Sequence, residues 1–278
     1  MKKLLINIFK TLFFFDLAVI SFSLLPTIKT ENSALLKFSS EGFQILFIIL
    51  LTAVFIKWVE KKSIKLPSKK KKFKQVMLGL FLGIVLPVIA IAVMIATKSF
   101  KFEGINAVKQ FYFWIPALLF NAITTEYLLR GYLFQLYKRE YGVIASVVIT
   151  TLLYISLNSH ILKMGKIYIT TLIVFNILLC VLLEWTSSMV VTISARFFYS
   201  LFSTFVLGSL SLSGGYPALL KYKYSGSSFI TGGANGIEGS IIPLGIIGIC
   251  FAFWAWKEYK PMPLVKNLIN KIKNMKKA

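Results

Sequence analysis

The chain has 278 residues, of which 57% are hydrophobic, 15% aromatic and only 15% charged, with a mean hydropathy of +0.76. Soluble domains run about 45–50% apolar and about 25% charged, so this chain has too little polar surface to coat a water-soluble particle. Disorder is excluded for the same reason, and a formal charge of +22 acquires meaning only from where the charges sit. The composition is that of an all-α, multispan transmembrane helical bundle.

A helix needs roughly 20 mostly apolar residues to cross the hydrocarbon core. In chain order such runs lie near residues 8–26, 43–59, 76–97, 110–137, 142–159, 166–184, 187–208 and 241–257, which predicts about eight spans. The first carries Lys10 and Asp16, and no small-x-small cleavage pattern follows it before Pro26. It is therefore expected to stay attached rather than to act as a removable signal. Gly79-x-x-x-Gly83 in the third run permits close helix packing and specifies no chemistry. The loop near 209–240 is rich in Gly and Ser. Its Gly232–Gly239 stretch lacks the Gly-Lys-Ser/Thr ending of a phosphate cradle and is expected to cap a span or fold back over a cavity.

Charge placement supports the count. With both termini inside, twenty basic residues fall in inner segments, nine in outer ones, and three (Lys10, Arg130, Arg196) within spans. That bias predicts a cell-membrane protein with cytoplasmic ends. The run Lys69–Lys72 then reads as a topology signal near anionic headgroups rather than a nucleic-acid patch. From Pro263 to Lys277, Leu264, Leu268, Ile272 and Met275 share one helical face among lysines. We expect one transmembrane domain over 1–257 and a basic amphipathic tail over 258–278 lying on the inner leaflet.

Ionisable groups in a span cost about 2.5–3.5 kcal/mol each on insertion scales, so each needs a partner or a purpose. Glu126 and Arg130 are four apart, on one face, with the acid toward the N-terminus, the favourable order for a pair. Arg196 and Ser200 are likewise four apart. Arg196 has no acid within a turn of its own helix, which leaves Glu126 or Glu184 as its partner. With Asn158, these residues of the fourth, fifth and seventh spans predict a polar cluster facing one interior cavity, open to the inner leaflet or the cytoplasm; Asn176 is a further polar residue in the sixth span. Cys180 and Cys250 lie in separate apolar runs, and there is a single histidine, His160. No metal site and no cofactor are expected.

Thr125-Glu126-x-x-x-Arg130-Gly131, followed by Tyr154-x-x-x-Asn158, Thr186-Ser187-Ser188 and the Thr231–Ser240 loop, resembles the CPBP family. Its members are intramembrane endopeptidases of the type II CAAX prenyl kind and bacteriocin-processing or immunity proteins. The resemblance covers about 110–245, the expected CPBP-like core. The family pattern is Glu-Glu-x-x-x-Arg, Phe-x-x-x-His and His-x-x-x-Asn. The resemblance implies that the first glutamate and first histidine activate water, while the second histidine and the asparagine hold the oxyanion. Here those positions read Thr125, Glu126, Arg130, Asn158, Arg196 and Ser200. Glu126, Arg130, Asn158, Arg196 and Ser200 are thus the candidate site residues, in a degenerate set.

Hydrolysis needs a positioned base near neutral pH, which neither Thr125 nor Asn158 offers. Arg196 could hold an oxyanion. His160, two positions past Asn158, should face away from the cavity if the helix continues. The reading that follows is a protein of this fold with weak or no proteolysis, binding a hydrophobic or lipidated peptide or a partner membrane protein, in contact with lipid and not with nucleic acid. A role like bacteriocin immunity falls within it. The alternatives are an active endopeptidase with Glu126 as base, and a small-solute transporter or channel. The transporter reading lacks the paired Gly- or Pro-broken helices such folds show.

Overall fold

The computed structural model describes residues 2–24, 30–61, 64–67, 72–209 and 215–258. The expected amphipathic tail and Lys69–Lys71 lie outside these residues. Among the described residues, seven helices are long and apolar enough to cross a membrane. Large apolar side chains such as Phe9, Leu50, Ile144 and Ile249 point outward, at 64–82% exposure. Water would tolerate no such belt, whereas lipid requires it. The protein is a multi-pass helical membrane protein.

The first helices are α1 (Lys2–Leu24), α2 (Ser33–Val54, continuing as the π-turn Phe55–Val59) and α3 (Lys72–Ala96). The α2 helix starts ten residues before the run read from sequence. Asn32 caps it, its side-chain oxygen accepting from the backbone N–H groups of Ala34 and Leu35 at 3.1 and 3.2 Å. That extension brings Lys37 and Glu41 into the helix.

Next comes a helical stretch of 47 residues: α4 (Phe111–Glu126), a π-turn (Tyr127–Leu133) and α5 (Phe134–Leu157). It is not one rod. Gly142 has φ 87° and ψ 176°, a conformation a residue with a Cβ rarely adopts. The chain doubles back there, so that Leu129 packs with Tyr154, and Leu128 and Leu133 share a cluster with Ile149 and Leu153. The two runs expected from sequence, 110–137 and 142–159, are the two arms of this hairpin.

The fold is completed by α6 (Lys166–Thr186), α7 (Met189–Ser200, continuing as the π-turn Leu201–Val206), the short α8 (Ser228–Thr231) and α9 (Ile241–Glu258). One feature departs from the all-helical expectation. The segments β1 (Phe100–Ile105) and β2 (Leu220–Tyr224) pair antiparallel, Phe100 opposite Tyr224 and Ile105 opposite Leu220. Phe100 stacks near Tyr222, with ring centroids 4.8 Å apart. Read from the sequence, both segments fall in outer loops between apolar runs, each short and lysine-bearing (Lys101 in the first, Lys221 and Lys223 in the second).

The Gly79/Gly83 pair marks a close helix crossing. A Cβ at Gly79 would lie 2.5 Å from Ser194 Cβ and 2.6 Å from Val191 O, and one at Gly83 would lie 2.5 Å from Ala195 O. The backbone of α7 therefore rests directly on α3, and that contact sets the height of Arg196.

At the lysine-rich end, Glu60 ties three helices together. It accepts from Lys10 Nζ at 2.7 Å, Arg139 Nη2 at 2.7 Å and Tyr132 Oη at 3.1 Å. Glu140 meanwhile pairs with Lys3 and Arg139. Burial pushes the Glu60 carboxyl up, but the hydrogen bonds and charges of Lys10 and Arg139 prevail and hold it below the ordinary carboxylate range. A depressed folded value means that the stabilisation is complete above the unfolded value, about 4.3, and is lost as pH falls through the folded one. Thermal unfolding in detergent from about pH 5 downward should show this loss, and Glu60→Gln should flatten it. An unchanged acid profile in that variant would remove Glu60 from the account.

Candidate functional site

The expected pair is present. Arg130 Nη1 donates to Glu126 Oε1 at 2.7 Å, and both side chains are fully buried. Arg196, only 2% exposed, donates through Nε to the same oxygen at 2.7 Å. Of the two partners open to Arg196, Glu126 is therefore the one it takes, while Glu184 pairs with Lys138 at 2.7 Å. Arg130 Nη2 reaches across to α6, donating to Asn176 O at 2.8 Å and Oδ1 at 2.7 Å. Asn176 Nδ2 then donates to Thr151 Oγ1 at 2.9 Å. One carboxylate thus bridges two guanidiniums, and α4, α5, α6 and α7 are linked through buried polar groups.

Beside this knot lies a cavity of about 250 Å³, whose wall includes Lys37, Glu41, Asn121, Thr125, Asn158 and Arg196. The structure therefore brings Asn158 and Arg196 to one space and sets Glu126 immediately behind the wall rather than on it. Ser200 is buried a turn beyond Arg196 and is not among the lining residues. Asn158 closes α5, its Nδ2 donating to Tyr154 O at 2.9 Å. Since α5 ends at Leu157, the helical-wheel argument for His160, which lies in the 3-10 turn Ser159–Lys163, does not apply.

The lining residues fix where along the helices the cavity sits. Phe22 near the end of α1, Lys37 near the start of α2 and Asn158 at the end of α5 all line the cavity. It therefore lies toward the end of the bundle opposite Lys3, Lys10, Glu60 and Arg139, not toward the lysine-rich end. Hydropathy and charge bias locate spans but not voids, which depend on how residues from several helices come together. A shallower cleft of about 700 Å³, between Glu31–Ala34, Asn106–Gln110 and Pro217–Ala218, sits away from the buried charges.

Sequence reasoning missed Glu41. It is 2% exposed, pairs with Lys37 at 3.1 Å and accepts from Asn121 Nδ2 at 3.3 and 3.2 Å. Asn121 O in turn accepts from Thr125 Oγ1 at 2.9 Å. The available signal was the i, i+4 spacing of Lys37 and Glu41 beside an N-capping Asn32. A second acid, Glu238, which the sequence placed in the Thr231–Ser240 loop without a role, is fully buried within that loop, with hydroxyl donors from Tyr199, at 3.3 Å, and Ser209. The Gly-rich loop does lead into a span, as a 3-10 turn (Gly233–Gly239) before α9. Among the described residues, no group of three or more His, Cys, Asp or Glu side chains could hold a metal ion.

No curated protein and no solved structure matches the chain. A family model described as type II CAAX prenyl endopeptidase, Rce1-like, matches residues 107–202, a stretch that carries Glu126, Arg130, Asn158, Asn176, Arg196 and Ser200 but neither Glu41 nor the Gly-rich loop. Through the segment that builds its buried charge cluster, this multi-pass membrane protein is similar to the Rce1-like family of type II CAAX prenyl endopeptidases.

Proposed function

We propose that the cavity binds a hydrophobic or lipidated peptide segment, or a partner membrane protein, and that the chain hydrolyses peptide bonds weakly or not at all. The observation that carries this reading is the state of Glu126. A general base must reach its water with a free lone pair. Glu126 is fully buried and is not among the cavity-lining residues; its Oε1 is shared by two guanidiniums, and its Oε2, which completes no hydrogen bond, is sealed inside the protein rather than presented to the cavity. Thr125 and Asn158, which do reach the cavity, have no basicity to offer. Arg196 keeps the ability to hold an oxygen, so recognition survives where water activation does not. In this reading the lysine-rich end is cytoplasmic and the cavity faces the outer half of the membrane, in a single membrane domain followed by a basic tail.

The test is cleavage of a fluorogenic hydrophobic peptide in proteoliposomes. The wild type should stay at or barely above the empty-liposome rate. Thr125→Glu combined with Asn158→His and Arg196→His should gain cleavage, because it restores a base and an oxyanion donor. Wild-type cleavage lost in Glu126→Gln would overturn the reading in favour of an active endopeptidase. Cleavage lost only in Glu41→Gln would assign the base to the other carboxylate.

A further inference from the structure

The cavity wall carries a set of groups that the free protein does not satisfy. Thr124 Oγ1, Tyr154 Oη and Arg196 Nη2 are all buried and complete no hydrogen bond, and all three residues line the same cavity. A buried polar atom without a partner is destabilising, so three around one space are a standing demand for an oxygen ligand. The Arg196 guanidinium lies 5.3 Å from the centroid of the Tyr154 ring, which keeps two of the three donors together.

Charge narrows the ligand. The buried and half-buried ions are Lys37, Arg130 and Arg196 against Glu41 and Glu126. With all five ionised, one positive charge is in excess. A monoanion cancels it. A phosphate dianion would overshoot, and would meet Glu41 across the cavity. Arginine presents a planar fork matched to two carboxylate oxygens.

We propose that this cavity is a receptor for a terminal carboxylate, bound by Arg196 Nη2 with Tyr154 and Thr124 hydroxyls as further donors. The inference rests on the binding reading above and names the chemical group that is recognised. A carboxylate can come from a peptide C-terminus or from a fatty acid, and the probes separate the two.

The test uses the full chain in a neutral maltoside detergent, with N-acetyl-leucyl-leucine, its C-terminal amide, and hexanoate as probes of thermal stability. A ligand that binds only the folded state raises the melting temperature with its concentration. The free acids should raise it and the amide should not. A response to the dipeptide acid alone assigns a peptide terminus, and a response to hexanoate alone assigns a fatty acid. Tyr154→Phe is the discriminating variant. Its hydroxyl completes no regular hydrogen bond in the free protein and interacts with the Arg196 guanidinium, so the variant should fold about as stably as wild type while binding the acid about tenfold more weakly.

Equal responses to acid and amide, no response to either acid, or an unaltered affinity in Tyr154→Phe would overturn the proposal. Capture of a defined membrane segment with acid and amide forms bound equally would leave the binding reading intact and remove this one.

Discussion

Glu126→Gln is expected to destabilise the protein by about 3–5 kcal/mol, the range for leaving a buried charge without its counter-ion. Glutamine fills the same space and can still accept at its carbonyl oxygen, so volume is not the issue. What disappears is the one negative charge between two guanidiniums. Arg130 would retain Asn176 as acceptor on two atoms. The hydrogen bond that holds Arg196 in the cluster goes to Glu126, so Arg196 should be the group that reorganises, and the cavity wall should move with it.

Denaturant or thermal unfolding in detergent measures the loss. Replacing the whole triad by apolar residues of similar size (Glu126→Leu, Arg130→Met and Arg196→Met together) should recover most of it, because a removed ion cluster leaves no orphan. A Glu126→Gln variant within about 1 kcal/mol of wild type, inside the spread of ordinary substitutions, would show that the bridge does not hold the bundle together.

The second large effect is expected at Gly79 and Gly83. In an exposed helix Gly→Ala stabilises by about 1 kcal/mol through lost chain entropy. Here the new methyl would have to displace Val191 O, Ser194 Cβ or Ala195 O, most of it α7 backbone that cannot turn aside. Overpacking of this kind costs about 1–3 kcal/mol per site, which outweighs the propensity gain, and the paired variant should cost more than either single one. Gly245→Ala in α9, with nothing within 4 Å of the added Cβ, is the control and should be neutral or slightly stabilising. Because α7 carries Arg196, Gly83→Ala should also weaken the Glu126–Arg196 contact. A double-mutant cycle of Gly83→Ala with Glu126→Gln should then show coupling of at least about 0.5 kcal/mol. Additivity would mean that the crossing and the charge bridge are independent.

Much of this was legible in the residues. The apolar runs gave the spans, since a backbone in hydrocarbon must satisfy itself as helix. The spacing of Glu126 and Arg130 gave their pairing, and the lack of a nearby acid gave Arg196 its distant partner. Glu41 escaped because a span drawn from hydropathy begins where charges end, at residue 43, whereas the helix begins where its N–H groups find a cap, at Asn32. The Lys10–Glu60–Arg139 knot escaped because its members are 50 and 79 residues apart. The strand pair escaped because its segments are only six and five residues long and their lysines read as outer-loop charges.

The sequence by itself determined that this is a helical membrane protein with a buried Glu126–Arg130 pair, because the cost of polar groups in lipid is a local and nearly additive penalty. Only the tertiary structure decided that Arg196 takes the same carboxylate oxygen as Arg130, that Glu41 and Asn158 meet Arg196 around one cavity, and that this cavity lies at the end opposite the Lys10–Glu60–Arg139 knot. Those are relations between helices. They are fixed by how closely glycine faces let backbones approach and by where the Gly142 hairpin turns, and neither can be read from a single helix.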